Sequence, residues 1–241
     1  MKLGIMQPYL FPYIGYFQLI NYVDSFVLFD DTQFINKGWV NRNRILHPDK
    51  SKGWQYFTAS TSGNRSFTDI NKIELKNVEL FFSQLLGKLT AFAKAPYYSL
   101  IVELINSLKN ELNQDSNLFD LNLVSLNKTC DLLKIKTPFQ ISSNLEYDRG
   151  AINHPGSWAL EISKALKAKT YINPIEGNEL FIKKEFTSLE IGLEFIKTNA
   201  IEYNQRRENF ESLLSILDVI LWNGPEEAKK LIDKEFQIVG I

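Results

Sequence analysis

Apolar and polar positions change their spacing several times along the chain, and those changes mark out the elements. Leu3 to Met6 is a short unbroken apolar run, and Ser25 to Asp30 is a second, Ser-Phe-Val-Leu-Phe-Asp, closed by adjacent acids. Runs without polar alternation are the mark of strands buried on both faces. Between them, Tyr13 to Tyr22 sets Ile14, Phe17, Gln18 and Leu19 at helical spacing behind Pro12. The unit is therefore strand, tight turn, helix, strand, which implies a parallel pair joined by a right-handed crossover. In such sheets ligands lie outside the carboxyl ends of the strands, here Met6 to Tyr13 and Asp30 to Phe34.

Further along, Gln33 to His47 is polar, aromatic and basic, Trp54 to Ala59 alternates as a strand, and Ser60 to Ser66 is a Ser/Gly/Asn loop expected to be mobile. From Asn77 the period becomes helical. Leu80, Phe81, Leu85, Leu89 and Phe92 form one face, and Tyr97 to Leu112 and Leu118 to Leu133 follow as two more helices. Strand character returns at Pro138 to Leu145, then a helix over Ser157 to Leu166 and a short strand over Thr170 to Asn173. Leu189 to Phe195 is a later strand, Ser212 to Trp222 a helix, and Glu226 to Lys234 a last helix with Pro225 in its first turn. The expected fold is α/β, a Rossmann-like, mostly parallel sheet in a single domain over 1–241, with a helical insertion or cover over about 77–135.

Composition narrows the function classes. A net charge of -1 gives no bulk attraction to nucleic acid or an anionic membrane, so nucleic acid is disfavoured as a partner. The single cysteine, Cys130, excludes an internal disulfide, and with two histidines it makes no ordinary zinc site, so no metal is expected. The start of the chain lacks the apolar core of a signal peptide, and Ser212 to Trp222 is too short to span a bilayer, which makes the cytoplasm the expected location without membrane insertion.

The densest chemistry lies in Asp30 to Arg44. Paired carboxylates at a strand end, Asp30 and Asp31, suit acid and base roles. Lys37, Arg42 and Arg44 around Trp39, with Gln33, Asn41 and Asn43, suit a phosphate beside a planar or sugar group. Gln7, Tyr9, Tyr13 and Tyr16 fill the first turn, which Pro8 and Pro12 stiffen and where Gly15 permits close approach. Rim positions on later strands are Ser142, Ser143, Asn173 and Gly177, and Tyr203 and Gln205 are polar points near apolar segments. His154 precedes a helix that Ser157 is able to cap; it is a third catalytic candidate or a loop-stacking residue.

Several separated motifs then resemble one family. Gln7-Pro8-Tyr9 through Tyr16-Phe17, Asp30 to Phe34, Gly38 to Asn43, Tyr171 to Pro174, Tyr203 to Gln205 and Leu214 to Asp218 together look like the WbqC-like proteins, over nearly the whole chain. That resemblance implies a bacterial protein often encoded with surface-polysaccharide genes, such as those for O-antigen or capsule. A fainter resemblance links Tyr13-Ile14-Gly15-Tyr16 to the His-x-Gly-His frame of the HIGH nucleotidylyltransferases, with Tyr at both His positions. It implies the HUP-type variety of the fold and Gly15 under an adenine or ribose. The expected function is a transferase acting on a nucleotide-linked sugar by acyl or aminoacyl transfer, with a nucleotide or nucleotide sugar as its small-molecule partner. Adenylyl transfer from ATP, or a non-catalytic glycan- or RNA-binding module, stand as alternatives; the cofactor and the oligomeric state are left unassigned.

Overall fold

The computed structural model describes residues 1–63 and 67–240, so the last three residues of the loop expected over Ser60 to Ser66 lie outside the described residues. The strands are β1 (Lys2–Met6), β2 (Ser25–Leu28), β3 (Arg42–Leu46), β4 (Trp54–Thr58), β5 (Phe139–Ile141), β6 (Thr170–Pro174), β7 (Gly192–Thr198) and β8 (Phe236–Gly240). The helices are α1 (Ile14–Tyr22), α2 (Val78–Leu89), α3 (Tyr98–Glu111), α4 (Leu118–Leu132), α5 (Ser157–Ala165), α6 (Lys183–Ser188) and α7 (Ile216–Lys234).

One sheet runs in the order β5-β2-β1-β6-β7-β8, parallel except for β8 against β7, and β3 and β4 form a separate hairpin. The fold is thus a Rossmann-like α/β sheet. From β1 the chain winds outward to β2 and β5, then returns to the other side of β1 and winds out through β6, β7 and β8. The switch in direction falls between β1 and β6, the place where open α/β sheets leave a crevice at their carboxyl ends.

The unbroken apolar runs are explained by burial on both faces. Leu3 and Ile5 of β1 pack with Ala159, Ile162 and Phe186 of the helices on one side. Gly4 faces the other side, where a Cβ would lie 3.1 Å from the Phe26 ring and 3.4 Å from Leu19 of α1. Helix α1 is buried from Ile14 through Ile20, which is why its pattern is apolar nearly all round. The one amide side chain in that buried stretch, Gln18, donates to the carbonyls of Leu231 (3.3 Å) and Glu235 (2.9 Å) and accepts from the Thr198 hydroxyl (2.8 Å). That satisfies both ends of a fully buried amide and fastens α1 to the end of α7.

The helical cover forms as expected, with one difference in face. Leu80 is half exposed, and Phe82 takes the inward position beside Phe81, Leu85 and Leu89. Helix α4 begins in a capping box between Asn117 and Asp120. Helix α7 is broken at Gly224 (φ 82°) before Pro225, where the sequence spacing separates two helices. A side chain at Gly224 would also meet the Tyr97 ring at 2.4 Å, so this glycine serves the turn and the contact with the cover together.

Four strands depart from the sequence pattern. β3 forms inside the polar Gln33 to His47 segment, because Asn43 and Ile45 alternate inward while Arg42 and Arg44 turn outward. β7 starts at Gly192 and runs to Thr198, because Leu189 and Glu190 close α6, a short helix the pattern does not reveal. β8 adds an antiparallel edge after α7. β5 is shorter than expected, since Ser142 to Asn144 turn into a single helical turn. No helix among the described residues is long and apolar enough to cross a membrane.

Candidate functional site

The turn after β1 is held almost atom by atom. The Tyr16 hydroxyl donates to the Gln7 carbonyl (2.8 Å), and the Asn122 amide from α4 donates to that of Pro8 (2.8 Å). Asn43 on β3 donates to Leu10 (3.1 Å) and Phe11 (3.0 Å), and Ser215 to Phe11 (2.7 Å). The Ile216 amide closes the Pro12 carbonyl at 2.8 Å. Within this frame Phe11, fully buried, sits at φ 41°, a left-handed conformation that costs a non-glycine residue about 1–3 kcal/mol. Contributions from α1 and from three distant segments keep that strained turn in one shape, and what it presents outward is the side chains of Tyr9 and Tyr13.

Those two rings form one wall of a cleft of about 570 Å³ at the switch point, over the carboxyl ends of β1, β6 and β7. Trp39, Asn43 and Arg44 also line it, as do Asn173, Glu176, Gly177 and Thr198. Gly15 lets the wall close. A Cβ there would lie 2.4 Å from the Tyr13 ring and 2.6 Å from the Thr198 hydroxyl, so the space above Gly15 is taken by protein. Gly177 plays the same part for Asn173, whose amide would be 2.4 Å from an added Cβ. The hydroxyls of Tyr9 and Tyr13 have no hydrogen-bond partner among the described residues, and both phenols are held neutral. Burial raises the pKa of Tyr9, and burial, then Glu176 and Tyr9, push Tyr13 up to about 12. They are donors to whatever enters the cleft.

The cation of the cleft is Arg44. Its guanidinium lies 5.2 Å from the Trp39 ring and 4.9 Å from the Trp54 ring, and donates to the Leu213 carbonyl at 3.0 Å. Its Nε is buried without a partner, a charged donor already desolvated and still unsatisfied. Arg42 is arranged differently: it lies 4.2 Å over Tyr56 and donates to the Gly38 carbonyl (3.2 Å) and to that of Lys37. Lys37 itself is exposed, in a left-handed turn (φ 64°).

Residues 7–230, which include all of the cleft lining except Met6, match the model of the WbqC-like protein family. The chain belongs to that family. It is also 27% identical over 237 residues to the uncharacterized protein Rv1507c of Mycobacterium tuberculosis, covering 93% of this chain and 95% of the relative. No solved structure matches it.

Of the WbqC-like chain's expected site residues, Tyr9, Tyr13, Trp39, Asn43, Asn173 and Gly177 line the cleft, and Gly15 sets its width. Tyr16 lies in the core beneath, Gln7 is half-buried just before the strained turn, and Asn41 is buried, donating to the Ala59 carbonyl (3.0 Å). Gln33 is exposed and bridges to Asp69. Asp30 and Asp31 lie at the end of β2, outside the cleft lining. The Asp30 carboxylate accepts from the Ser142 hydroxyl (2.8 Å), the Ser143 amide (2.9 Å) and hydroxyl (2.7 Å), and the Asn71 amide (2.9 Å). Asp31 pairs with Arg149 and accepts from Tyr147 at 3.1 Å, and the Ser142 hydroxyl lies between the two acids. The Asp31 bond raises the Arg149 pKa, while burial and then Asp31 raise that of Tyr147.

His154 is likewise occupied. Its Nδ1 accepts from the Gly156 amide (3.1 Å), so Nε2 carries the hydrogen toward Glu185 (2.8 Å). Tyr203 and Gln205 donate to Asp218 (2.9 and 3.4 Å), and Gln205 also pairs with Glu211. The cleft residues that the sequence did not single out include Glu176, Leu180, Thr198, Asn199 and Leu213. An end for β7 at Thr198 would have signalled Thr198 and Asn199; Glu176 stands in the motif after β6, and Leu213 carries no local signal.

Proposed function

We propose that this WbqC-like protein is an enzyme of bacterial surface-polysaccharide assembly that binds a nucleotide-linked sugar in the switch-point cleft and modifies it by acyl or aminoacyl transfer. The single observation behind this reading is the cleft itself: three aromatic side chains, Tyr9, Tyr13 and Trp39, beside the Arg44 guanidinium. Its volume of about 570 Å³ lies inside the roughly 300–1,000 Å³ of small-molecule sites. Trp39 or Tyr13 stacks on a planar base or on the sugar, and Arg44 pairs with phosphate oxygens. Asn173 and the two phenols bond sugar hydroxyls. Glu176 is the carboxylate of the cleft and takes the proton as the sugar's amine or hydroxyl attacks the acyl carbon. The bond from that carbon to the donor's leaving group then breaks.

The test is thermal melting over nucleotides and nucleotide sugars, with wild type and Arg44→Ala. A nucleotide sugar raises the wild-type Tm and leaves that of Arg44→Ala unmoved. A shift given only by ATP with magnesium would replace this reading with adenylyl transfer, and no shift from any of these ligands would overturn it.

A further inference from the structure

Beside the main cleft lies a second cavity of about 300 Å³, enclosed by Ile14, Ile201, Tyr203, Phe210, Leu214 and Val219. The two cavities share Tyr13, Thr198, Asn199 and Leu213. The two cavities are therefore neighbours, with these four residues between or beside both.

The chemistry of the second cavity differs from that of the first. No lysine or arginine lines it, and its one charged side chain is Glu202, so a phosphate or free carboxylate has nothing to pair with there. Its walls are aliphatic and aromatic, which favours an apolar group. Polar groups lie at the shared mouth. The side-chain amide of Asn199 has no hydrogen-bond partner among the described residues and offers both a donor and an acceptor. The Thr198 hydroxyl has already given its hydrogen to Gln18 (2.8 Å) and keeps oxygen lone pairs. Leu213 divides the cavities: it is 61% exposed, sits at φ 54°, and its carbonyl is held by Arg44 of the main cleft. An exposed leucine held in a left-handed conformation is a strained residue.

We propose that this second cavity is the acyl subsite, holding a short uncharged acyl group with its tail among Ile14, Phe210 and Val219 and its carbonyl accepting from Asn199. The assignment of an acyl group rests on the transfer reading above; the cavity's preference for an uncharged amide or ester over a carboxylate does not. Ligand-observed saturation-transfer NMR with hexanamide, and with hexanoate as the charged control, tests it in the absence of nucleotide. Wild type gives a strong hexanamide signal and a weak hexanoate one. Ala200→Trp, at an exposed residue lining the second cavity only, removes the hexanamide signal, and so does Ser212→Trp, which serves if the first variant misfolds. Trp39→Ala, in the main cleft, leaves it intact. A hexanamide signal that survives both tryptophan variants, that disappears in Trp39→Ala, or that hexanoate equals would overturn the proposal. Loss of the nucleotide-sugar melting shift bears on the main cleft alone, so the two readings fail separately.

Discussion

Two stretches of the same sheet rim, three strands apart at most, treat polar residues in opposite ways. At the end of β2, Asp30, Asp31, Ser142, Ser143, Tyr147 and Arg149 are bonded to one another. Around the cleft at the ends of β1, β6 and β7, the hydroxyls of Tyr9 and Tyr13 and the Asn199 amide have no partners within the described residues. Both groups consist of residue types that suit catalysis or binding. A polar group whose bonding capacity is filled by neighbours holds the fold, whereas one kept oriented and unfilled is available to a ligand. The turn from Gln7 to Tyr13 shows how that orientation is maintained: the carbonyls of Gln7, Pro8, Leu10, Phe11 and Pro12 are each held by a donor from another segment, which fixes the backbone that carries Tyr9 and Tyr13.

The largest expected effect concerns a buried carboxyl that fits neither group. Asp218 accepts from Tyr203 and Gln205, yet burial outweighs those bonds and raises its pKa from 3.8 to about 7. The unfolded chain ionises near 3.8 while the folded one stays neutral to about 7, so this group's stabilising contribution is full below the lower value and is lost as pH rises between the two. At about 1.4 kcal/mol per pH unit the loss is on the order of 4 kcal/mol. Asp218→Asn removes it, so the stability of that variant relative to wild type should climb from acid to neutral pH in urea melts. Parallel profiles would mean that the carboxyl behind the second cavity is as well compensated as the acids of the β2 rim.

Next comes Asp30→Ala. Four donors lose their acceptor, and the expected loss is about 3 kcal/mol of unfolding free energy, with affinity for the proposed nucleotide-sugar ligand within about twofold of wild type. Unchanged stability with lost binding would erase the contrast between the two rims. Arg44→Ala is its mirror image. Removing one charge-assisted hydrogen bond of roughly 1.5–3 kcal/mol weakens nucleotide-sugar binding about 10- to 100-fold by calorimetry. The change in Tm should be small.

How much of this was legible in the sequence depended on whether the cause was local. β1, β2 and α1 were, because burial on both faces leaves unbroken apolar runs, and the helical cover was, because its 3.6-residue period is strong. β3 was not: Asn43 points inward because it serves the carbonyls of Leu10 and Phe11, and a polar residue facing the core looks like loop. The same limit applies to the site. Tyr9, Tyr13 and Trp39 stand out in their own segments, but the fact that Asp30 is already paired lies 112 residues away, at Ser142. Asn199 and Leu213 become cleft residues only through the pairing of β7 with β6 and the bond from Arg44.

The smallest expected effect probes the seam between core and cleft. At Gly15 the added methyl of Gly15→Ala meets two different neighbours, the Tyr13 ring at 2.4 Å and the Thr198 hydroxyl at 2.6 Å. Thr198 is tied to Gln18 and belongs to a paired strand, so it yields little. Tyr13 has a free hydroxyl and a half-open ring, so it is the neighbour that moves. Overpacking of this kind costs about 1–3 kcal/mol when the surroundings are rigid and less when one side can swing away. Gly15→Ala should therefore lose about 1 kcal/mol of stability and a few-fold in nucleotide-sugar affinity, with the loss of binding following the displacement of Tyr13. Tyr13→Ala supplies the control: in that background the methyl has room, and Gly15→Ala should add almost nothing to either quantity. If the two changes add in full, the ring is not what Gly15 makes room for, and the wall of the cleft is set by the helix itself.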